Sequence, residues 1–236
     1  MPAWSQADDV AVVIPARNEA DRIAATVTAA AGLAGVGLVV VVDDGSRDGT
    51  GTVARRAGAV VMRHARNRGK AAAMQTGANV VSVLDQRERR ERPRHLLFLD
   101  ADLADSAARA GPLAVPVVAG AADMTIAVFA ATVKLGGHGL VVGLSGGGIR
   151  RAVGWQPVQP LNGQRCLTRA AFEAARPLAP GWGVETALTI DLLRKGLRVT
   201  EVEVELAHRA TGTGLRAQLH RARQLTDVAR ALAVRL

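Results

Sequence analysis

Four short apolar runs dominate the first hundred residues: VAVVIP at 10–15, LVVVV at 38–42, VVMRH at 60–64 and HLLFLDAD at 95–102. The segments between them carry apolar residues at helical spacing and turn residues such as glycine. Strands that are apolar on both faces are typical of parallel sheets covered by helices on both sides. The pattern therefore predicts an α/β fold built on a mostly parallel sheet.

A polar cluster follows each of these predicted strands. PARNE comes after the first strand, DDGS after the second, RNRGK after the third and DAD at the end of the fourth. In open parallel sheets, ligands bind at the carboxyl ends of the strands. We therefore expect the four clusters to form one ligand site at that edge of the sheet.

The DAD cluster places two carboxylates, Asp100 and Asp102, one residue apart. In extended chain, residues i and i+2 point to the same side, so the two like charges need a cation nearby. Mg²⁺ or Mn²⁺, held by one or two carboxylates together with substrate phosphates, meets that need. An Asx turn that caps the next helix is the alternative for so short a pattern.

The other clusters supply candidate partners for the same site. Lys70 ends the third cluster and can meet a diphosphate, while Asp43 and Asp44 can accept hydrogen bonds from a nucleobase or a ribose. His208 follows a predicted strand at 198–206 and can add a nitrogen ligand to the cation. The alternative for the two DDGS aspartates is turn and cap chemistry.

The second half of the chain follows a different pattern. A helix is predicted over 106–119 and a strand over 123–130, but the glycine-rich stretch at 135–148 predicts a mobile segment with room for a short helix. An amphipathic helix is predicted over 183–195. Residues 198–206 alternate acidic and apolar side chains, which indicates a strand with one wet face, either antiparallel or at a sheet edge.

The tail, 213–236, has the pattern of an Arg-rich amphipathic helix. In one interpretation its apolar stripe, which includes Val228 and Leu232, packs on its own domain or on a second subunit, so a homodimer is one expected assembly. In the other interpretation, stripe and arginines over 215–236 make peripheral contact with an anionic membrane surface.

Neither a repeat nor a linker divides the 236 residues. The prediction is therefore a single domain over 1–236, with a nucleotide-binding half at 10–105, an acceptor half at 106–212 and the C-terminal helix at 213–236.

Composition narrows the class of partner and the compartment. The net charge of +9 suits anionic ligands such as phosphorylated molecules, whereas three Phe and no Tyr offer few stacking platforms, so we expect no nucleic-acid partner. Cys166 is the only cysteine, which fits a reducing compartment. The polar, acidic N-terminal residues predict no secretory signal. A cytoplasmic location is expected, with peripheral contact to the inner membrane face as the alternative.

Four motifs, taken as a set, resemble the family 2 glycosyltransferases of the GT-A fold: VVIPARNEADRI, VVVVDDGSRDGT, NRGKAAAMQTGA and FLDADL. Each motif is weak alone, but their order and spacing over 10–105 are specific. Three stretches of the second half are similar to parts of glucosyl-3-phosphoglycerate synthases and polyprenyl-phosphate sugar transferases: LNGQRCLTRAAF, GWGVETALTIDLLRKG and VEVELAHRATG. The resemblance thus covers most of the chain.

The resemblance also implies roles for particular residues. Asp102 matches the metal-coordinating aspartate, and His208 matches a histidine that joins the metal. Glu185 matches an acidic residue at the acceptor side and is the candidate base if the reaction inverts; an acid favoured by the helix dipole is the alternative. Predicted substrate-binding positions are Pro15, Ala16, Arg17, Glu19, Asp43, Asp44, Lys70, Asp100, Ala101, Gly163, Gln164 and Arg165.

The prediction is therefore a glycosyltransferase that uses Mg²⁺ or Mn²⁺ and a nucleotide-sugar donor, UDP-linked first and GDP-linked next. Its predicted acceptor is a small anionic molecule or a lipid phosphate. A sugar-phosphate nucleotidyltransferase is one alternative, but PARNEADR lacks the glycine-rich loop that such enzymes carry after the first strand. A non-catalytic nucleotide-sugar-binding module is the other alternative, and the set of Asp100, Asp102 and His208 argues against it.

Overall fold

A computed structural model of the chain describes residues 9–129, 139–206 and 215–236. The predicted metal ligand His208, the start of the glycine-rich stretch at 135–138 and the end of the strand predicted at 123–130 lie outside the described residues. The predicted α/β architecture is confirmed within the described ranges.

Seven strands of the described chain form one sheet. They are β1 (Val10–Ala16), β2 (Val36–Asp43), β3 (Val60–Arg63), β4 (His95–Phe98), β5 (Met124–Phe129), β6 (Arg165–Leu167) and β7 (Val199–Val204), and they lie in the order β3-β2-β1-β4-β6-β5-β7. β6 runs antiparallel to its neighbours β4 and β5, and every other pair is parallel. The strand order reverses at β1, since β2 lies on one side of it and β4 on the other.

The helices cover both faces of this sheet. They are α1 (Ile23–Ala31), α2 (Thr50–Arg56), α3 (Lys70–Arg87), α4 (Val115–Val118), α5 (Gly139–Val153), α6 (Arg169–Ala174), α7 (Val184–Arg194) and α8 (Leu215–Ala233), with 3₁₀ turns at Ala104–Arg109, Gly111–Leu113 and Gly181–Gly183.

Alternate side chains of the central strands enter two different apolar cores. In β1, Val12 and Ile14 join the core that contains α1 and α2, whereas Ala11 and Val13 join the core that contains α3, α6 and α7. All four side chains are fully buried, which is why the strand is apolar at every position. The predicted coverage of both faces is confirmed.

β7 is an edge strand, one of the two placements predicted for residues 198–206, and it pairs with β5 in parallel. One element of the second half differs from the prediction. The region 106–119 is not one helix, because Gly111, Pro112 and Pro116 divide it into two 3₁₀ turns and the short α4. Proline lacks an amide donor and clashes with the preceding turn, so a continuous helix cannot pass through these positions.

The described part of the glycine-rich stretch is helical, where the sequence predicted a mobile segment with room for a short helix. Residues from Gly139 onward form α5, and its glycines allow close packing. A Cβ added to Gly148 would lie 2.3 Å from a methyl carbon of Leu232 in α8, and one on Gly146 would lie 3.2 Å from Gln156. The small residues therefore let two helices approach each other, which outweighs their low helix propensity.

The C-terminal helix packs on its own domain. Val228 and Leu232 are buried with Ile149 of α5 and Ile190 of α7. This confirms the packing interpretation for the described part of the stripe. No helix among the described residues is both long enough and apolar enough to cross a membrane.

Candidate active site

A cavity of about 470 Å³ opens where the strand order reverses, beyond the carboxyl ends of β1 and β4. In doubly wound sheets this reversal is the usual ligand position, because the loops of the two strands diverge there. Its described lining is Pro15, Ala16, Arg17, Glu19, Asp44, Asn67, Gly69, Lys70, Ala73, Asp100, Ala101, Asp102, Gly181, Trp182, Arg223 and Asp227. Nine of the predicted site residues, from all four polar clusters, are therefore brought together.

The loop after β1 is shaped by the loop after β2. The amide of Asn18 donates to the Ser46 hydroxyl at 3.0 Å, and the amide of Glu19 donates to the Thr50 hydroxyl at 2.9 Å. Asn18 has a positive φ of 56°, a conformation that Asn tolerates better than most residues. These bonds fix the backbone that presents Arg17 and Glu19 to the cavity.

Asp44 organises the loop that follows β3. Its two carboxylate oxygens accept the amides of Arg68 and Gly69, each at 2.8 Å. The same carboxylate lies 2.7 Å from Nδ1 of His64, whose Nε2 lies 3.0 Å from the Thr76 hydroxyl. Asp44 therefore holds the start of α3 in place while it lines the cavity.

Asp43 is placed differently from Asp44. It is buried, accepts the amide of Ser46 at 2.8 Å and is absent from the described cavity lining. Gly45 follows the two aspartates with a φ of +73°, and a Cβ there would lie 2.7 Å from the backbone of Arg66 and Asn67. Within the described structure, Asp43 and Gly45 build the loop, and the base or ribose contact predicted for Asp43 stays a prediction.

Lys70 lies between two carboxylates. Its Nζ is 2.9 Å from Oδ1 of Asp100 and 3.0 Å from Oε1 of Glu185. Burial lowers the pKa of Lys70, but the charges of Asp100 and Glu185 outweigh it, so the net pKa lies above the ordinary value. The Gln164 side-chain amide donates to the other Asp100 oxygen at 2.8 Å. Lys70 is thus a fixed cation, and it holds Asp100 in one orientation.

Gly163 makes room for this ion pair. A Cβ at Gly163 would lie 2.2 Å from Nζ of Lys70 and 3.2 Å from Asp100. Gly163 and Gln164, both predicted to bind substrate, therefore lie directly behind the cavity wall and support its charged groups.

Arg165 and Glu185 lie outside the described cavity lining. Arg165 is fully buried; it donates to the carbonyls of Pro160, Asn162 and Glu185, and it lies outside the described cavity lining. Burial lowers the pKa of Arg165 to about 10, although the charges of Glu185 and Glu201 oppose the change. The Arg165 guanidinium therefore ties the 160–165 loop to α7, and the substrate contact predicted for Arg165 stays a prediction.

The Glu185 carboxylate is turned toward Lys70, and its predicted role at the acceptor side stays a prediction. Only 4% of the residue is exposed, and it is absent from the described lining of the cavity. In this arrangement Glu185 is the counterion of Lys70, placed by the first turn of α7.

The donor set of the wall fits a divalent cation. The described lining carries five carboxylates (Glu19, Asp44, Asp100, Asp102 and Asp227) and three cationic side chains (Arg17, Lys70 and Arg223), which leaves a formal excess of two negative charges. No group of three or more His, Cys, Asp or Glu gathers round a common point in the described ranges. A cation held by one or two carboxylates of the DAD turn would complete its shell with phosphate oxygens and water.

The sequence prediction missed the wall built by the second half of the chain. Gly181 and Trp182 come from the turn before α7, and Arg223 and Asp227 come from α8. The available signal was the GWGVE stretch, where two glycines flank a tryptophan. Asn67, Gly69 and Ala73, which flank Lys70, complete the residues that were not predicted.

The fold is the GT-A fold. A structure of glucosyl-3-phosphoglycerate synthase from Mycobacterium tuberculosis in complex with Mg²⁺ and UDP aligns with a TM-score of 0.73 and 23% identity, over 97% of this chain and 79% of that one. A second structure of that enzyme, with Mn²⁺, UDP and glucosyl-3-phosphoglycerate, aligns with a TM-score of 0.72 and 22% identity, over 96% and 80%. At these identities the likeness establishes the fold.

The sequence establishes the family. The sequence model of the family described as glycosyl transferase family 2 matches residues 11–138. Because this match covers more than half of the chain, the chain belongs to this family. It is 28% identical over 211 residues to glycosyltransferase AglJ of Haloferax volcanii, covering 87% of this chain and 65% of that protein. It is 36% identical over 95 residues to the uncharacterized protein MJ1222 of Methanocaldococcus jannaschii, covering 40% and 36%. The chain thus spans less than two thirds of either relative.

Proposed function

We propose that this chain transfers a glycosyl group from a nucleoside diphosphate sugar, UDP-linked in preference to GDP-linked, to a small anionic or lipid-phosphate acceptor. The observation that carries the proposal is the convergence of Lys70, Asp100 and Asp102 on one wall of a cavity at the strand-order reversal. The negative excess on that wall supports a need for Mg²⁺ or Mn²⁺ when a diphosphate binds.

The chemistry explains why the cation matters. Glycosyl transfer passes through an oxocarbenium-like transition state while negative charge builds on the departing diphosphate. A bound Mg²⁺ or Mn²⁺ supplies Lewis-acid stabilisation of that charge. Asp102 would hold it, with Asp100 beside it, and His208 keeps its predicted role as a further ligand.

The chain's own residues orient the donor. Asp100, fixed by Lys70 and Gln164, presents a carboxylate that can accept hydrogen bonds from sugar or ribose hydroxyls. Arg17 adds a guanidinium from the loop after β1, where it can pair with phosphate oxygens. In this proposal, Glu185 acts through Lys70 and is a positioning residue.

The relatives support the donor class. Solved structures of the mycobacterial synthase hold UDP with Mg²⁺ or Mn²⁺, and one holds UDP-glucose and phosphoglyceric acid with Mn²⁺. The family match over residues 11–138 covers the loops that line the donor side of the cavity.

Isothermal titration of UDP and GDP with and without Mn²⁺ tests the proposal. We expect Mn²⁺ to tighten UDP binding at least about tenfold, because the cation offsets the negative wall. Asp102→Asn should remove most of that gain, whereas Asp105→Asn, an exposed aspartate on the following 3₁₀ turn, should keep it. A wild-type affinity for UDP that does not change when Mn²⁺ is added would contradict the proposal.

Turnover then separates the reaction classes. Release of UDP from a UDP-sugar, abolished by Asp102→Asn, is the expected result. Pyrophosphate released from UTP and a sugar phosphate would instead identify a nucleotidyltransferase. Tight UDP binding without any UDP release across a panel of donors and acceptors would indicate a non-catalytic binding module.

A further inference from the structure

We infer that the Gly181–Gly183 turn and α8 form the acceptor subsite, and that this subsite takes the phosphate monoester of the acceptor. The inference rests on the proposed function and goes beyond it, because it assigns named residues and one chemical group to the acceptor. The relevant surface is a second cavity of about 390 Å³, lined by Trp182, Ala222, Arg223, Thr226, Asp227 and Arg230.

The two cavities adjoin each other. Trp182, Arg223 and Asp227 line both of them, so they form the boundary between the donor cavity and the second one. A molecule anchored in the second cavity therefore extends past these three side chains toward Asp100 and Asp102. That is the direction the acceptor nucleophile must take to meet a sugar held at the diphosphate. In a soluble phosphate monoester the nucleophile is a hydroxyl, and in a lipid phosphate it is an oxygen of the phosphate itself, which bonds to the anomeric carbon as the nucleoside diphosphate leaves.

The boundary is built rigidly. The amide of Trp182 donates to Oδ2 of Asp227 at 3.1 Å. A Cβ on Gly181 would lie 2.1 Å from the same carboxylate oxygen, and a Cβ on Gly183 would lie 2.6 Å from the Asp227 carbonyl oxygen. The two glycines let the turn lie directly on α8, and this contact fixes the position of Trp182 between the cavities.

The charge of the second cavity is opposite to that of the first. Arg223 and Arg230 provide two guanidinium groups, and Asp227 provides one carboxylate, which leaves a formal excess of one positive charge. The Asp227 carboxylate accepts the Trp182 amide and lies 3.9 Å from Arg230, whose side chain is 78% exposed. So exposed a pair is weak, and Arg230 can turn to a ligand at little cost.

A phosphate monoester matches this arrangement. Arginine binds phosphate through paired, charge-assisted hydrogen bonds, and two guanidiniums can bind one phosphate from two sides. The Trp182 indole and Ala222 add an apolar surface for the carbon skeleton attached to the phosphate. The donor cavity, with its negative excess, does not attract a second phosphate, so the charge difference keeps donor and acceptor in their own places.

Titration of the UDP- and Mn²⁺-loaded protein tests the inference. One arm uses 3-phosphoglycerate as a soluble phosphate monoester, and the other uses phosphatidylcholine vesicles with and without a polyprenyl phosphate. We expect one of the two probes to bind and to lose affinity about tenfold in Arg223→Gln and in Arg230→Gln. Arg56→Gln, which removes an exposed charge from α2 on another surface, should leave the affinity unchanged.

The outcomes assign the source of the phosphate. Binding of 3-phosphoglycerate indicates a soluble acceptor, and binding only to vesicles that contain the lipid phosphate indicates a lipid acceptor. The inference is overturned if neither probe binds, or if the two arginine variants bind like the wild type. UDP affinity of Arg230→Gln is measured in parallel and should stay within about twofold, because Arg230 lies outside the donor cavity. If the wild-type protein does not bind UDP, that result would instead refute the proposed function.

Discussion

Replacement of Lys70 by Met should be among the most destabilising single changes at the site. Met keeps the volume of the side chain but leaves the Glu185 carboxylate, which is 4% exposed, without its cation. Breaking a buried ion pair in this way costs about 3–5 kcal/mol. Asp100 keeps the Gln164 amide and its side chain is 31% exposed, so the lower end, about 3 kcal/mol, is expected.

A double-mutant cycle measures the coupling. Glu185→Gln should cost only about 1 kcal/mol, since its amide oxygen still accepts from Lys70 and Asp100 still balances the charge. The double variant should cost about 2 kcal/mol rather than 4, because no unpaired buried charge remains. Urea unfolding followed by tryptophan fluorescence gives these free energies of unfolding, and Lys195→Met, at an exposed lysine, should stay within about 0.5 kcal/mol of wild type. The reasoning would be refuted if the costs of the two single variants add up to the cost of the double variant within about 0.5 kcal/mol.

Three further outcomes follow from the structure. In the same urea assay, Gly148→Ala should lower the free energy of unfolding by about 1–2 kcal/mol, because the added Cβ would lie 2.3 Å from Leu232. Gly147→Ala should raise the free energy of unfolding by up to about 1 kcal/mol, because the added Cβ would have no neighbour within 4 Å and alanine favours the helix. The Cys166 thiol is fully buried and its pKa is raised by burial, so a thiol reagent at about pH 8 should react only as the protein unfolds; rapid reaction of the native protein would contradict this. The pKa of Lys70 in the folded protein lies above its unfolded value of 10.5, so the contribution of Lys70 to stability is complete below pH 10.5 and is lost only as the pH rises through the folded pKa. The cost of Lys70→Met in the free energy of unfolding should therefore be constant between about pH 7 and pH 10. A fall of that cost within this pH range would show that the lysine loses its proton early.

The first half of the fold was predictable because its signals are local. A strand buried on both faces must be apolar at every position, so β1, β2 and β4 are visible as continuous runs. Parallel strands also gather their carboxyl ends at one edge, which brings the loops of Arg17, Lys70 and Asp100 together without knowledge of any distance. The four polar clusters followed from those two rules, and the motif resemblance identified within them the nine predicted residues that line the cavity.

The second half was less predictable because its residues depend on partners far along the chain. The glycines of α5 indicate a loop until Leu232, more than eighty residues later, is known to lie against Gly148. Arg165 has the side chain of a phosphate ligand, but the carbonyls of Pro160, Asn162 and Glu185 take up its donors inside the core. Neither fact is contained in the spacing of neighbouring residues.

Charge is the property for which composition and structure differ most. The net charge of +9 predicts an anionic ligand held by basic side chains, yet the described lining of the donor cavity has more carboxylates than cations. Its Lys70 is balanced by two carboxylates, so little of its charge is left for a diphosphate. The ligand class inferred from composition can stand only if a cation enters with the diphosphate, whereas Arg223 and Arg230 on α8 can bind a phosphate directly. The fold thus divides one basic composition into an acidic cavity, the proposed donor site, and a basic cavity, the proposed acceptor subsite, and only the lining residues reveal that division.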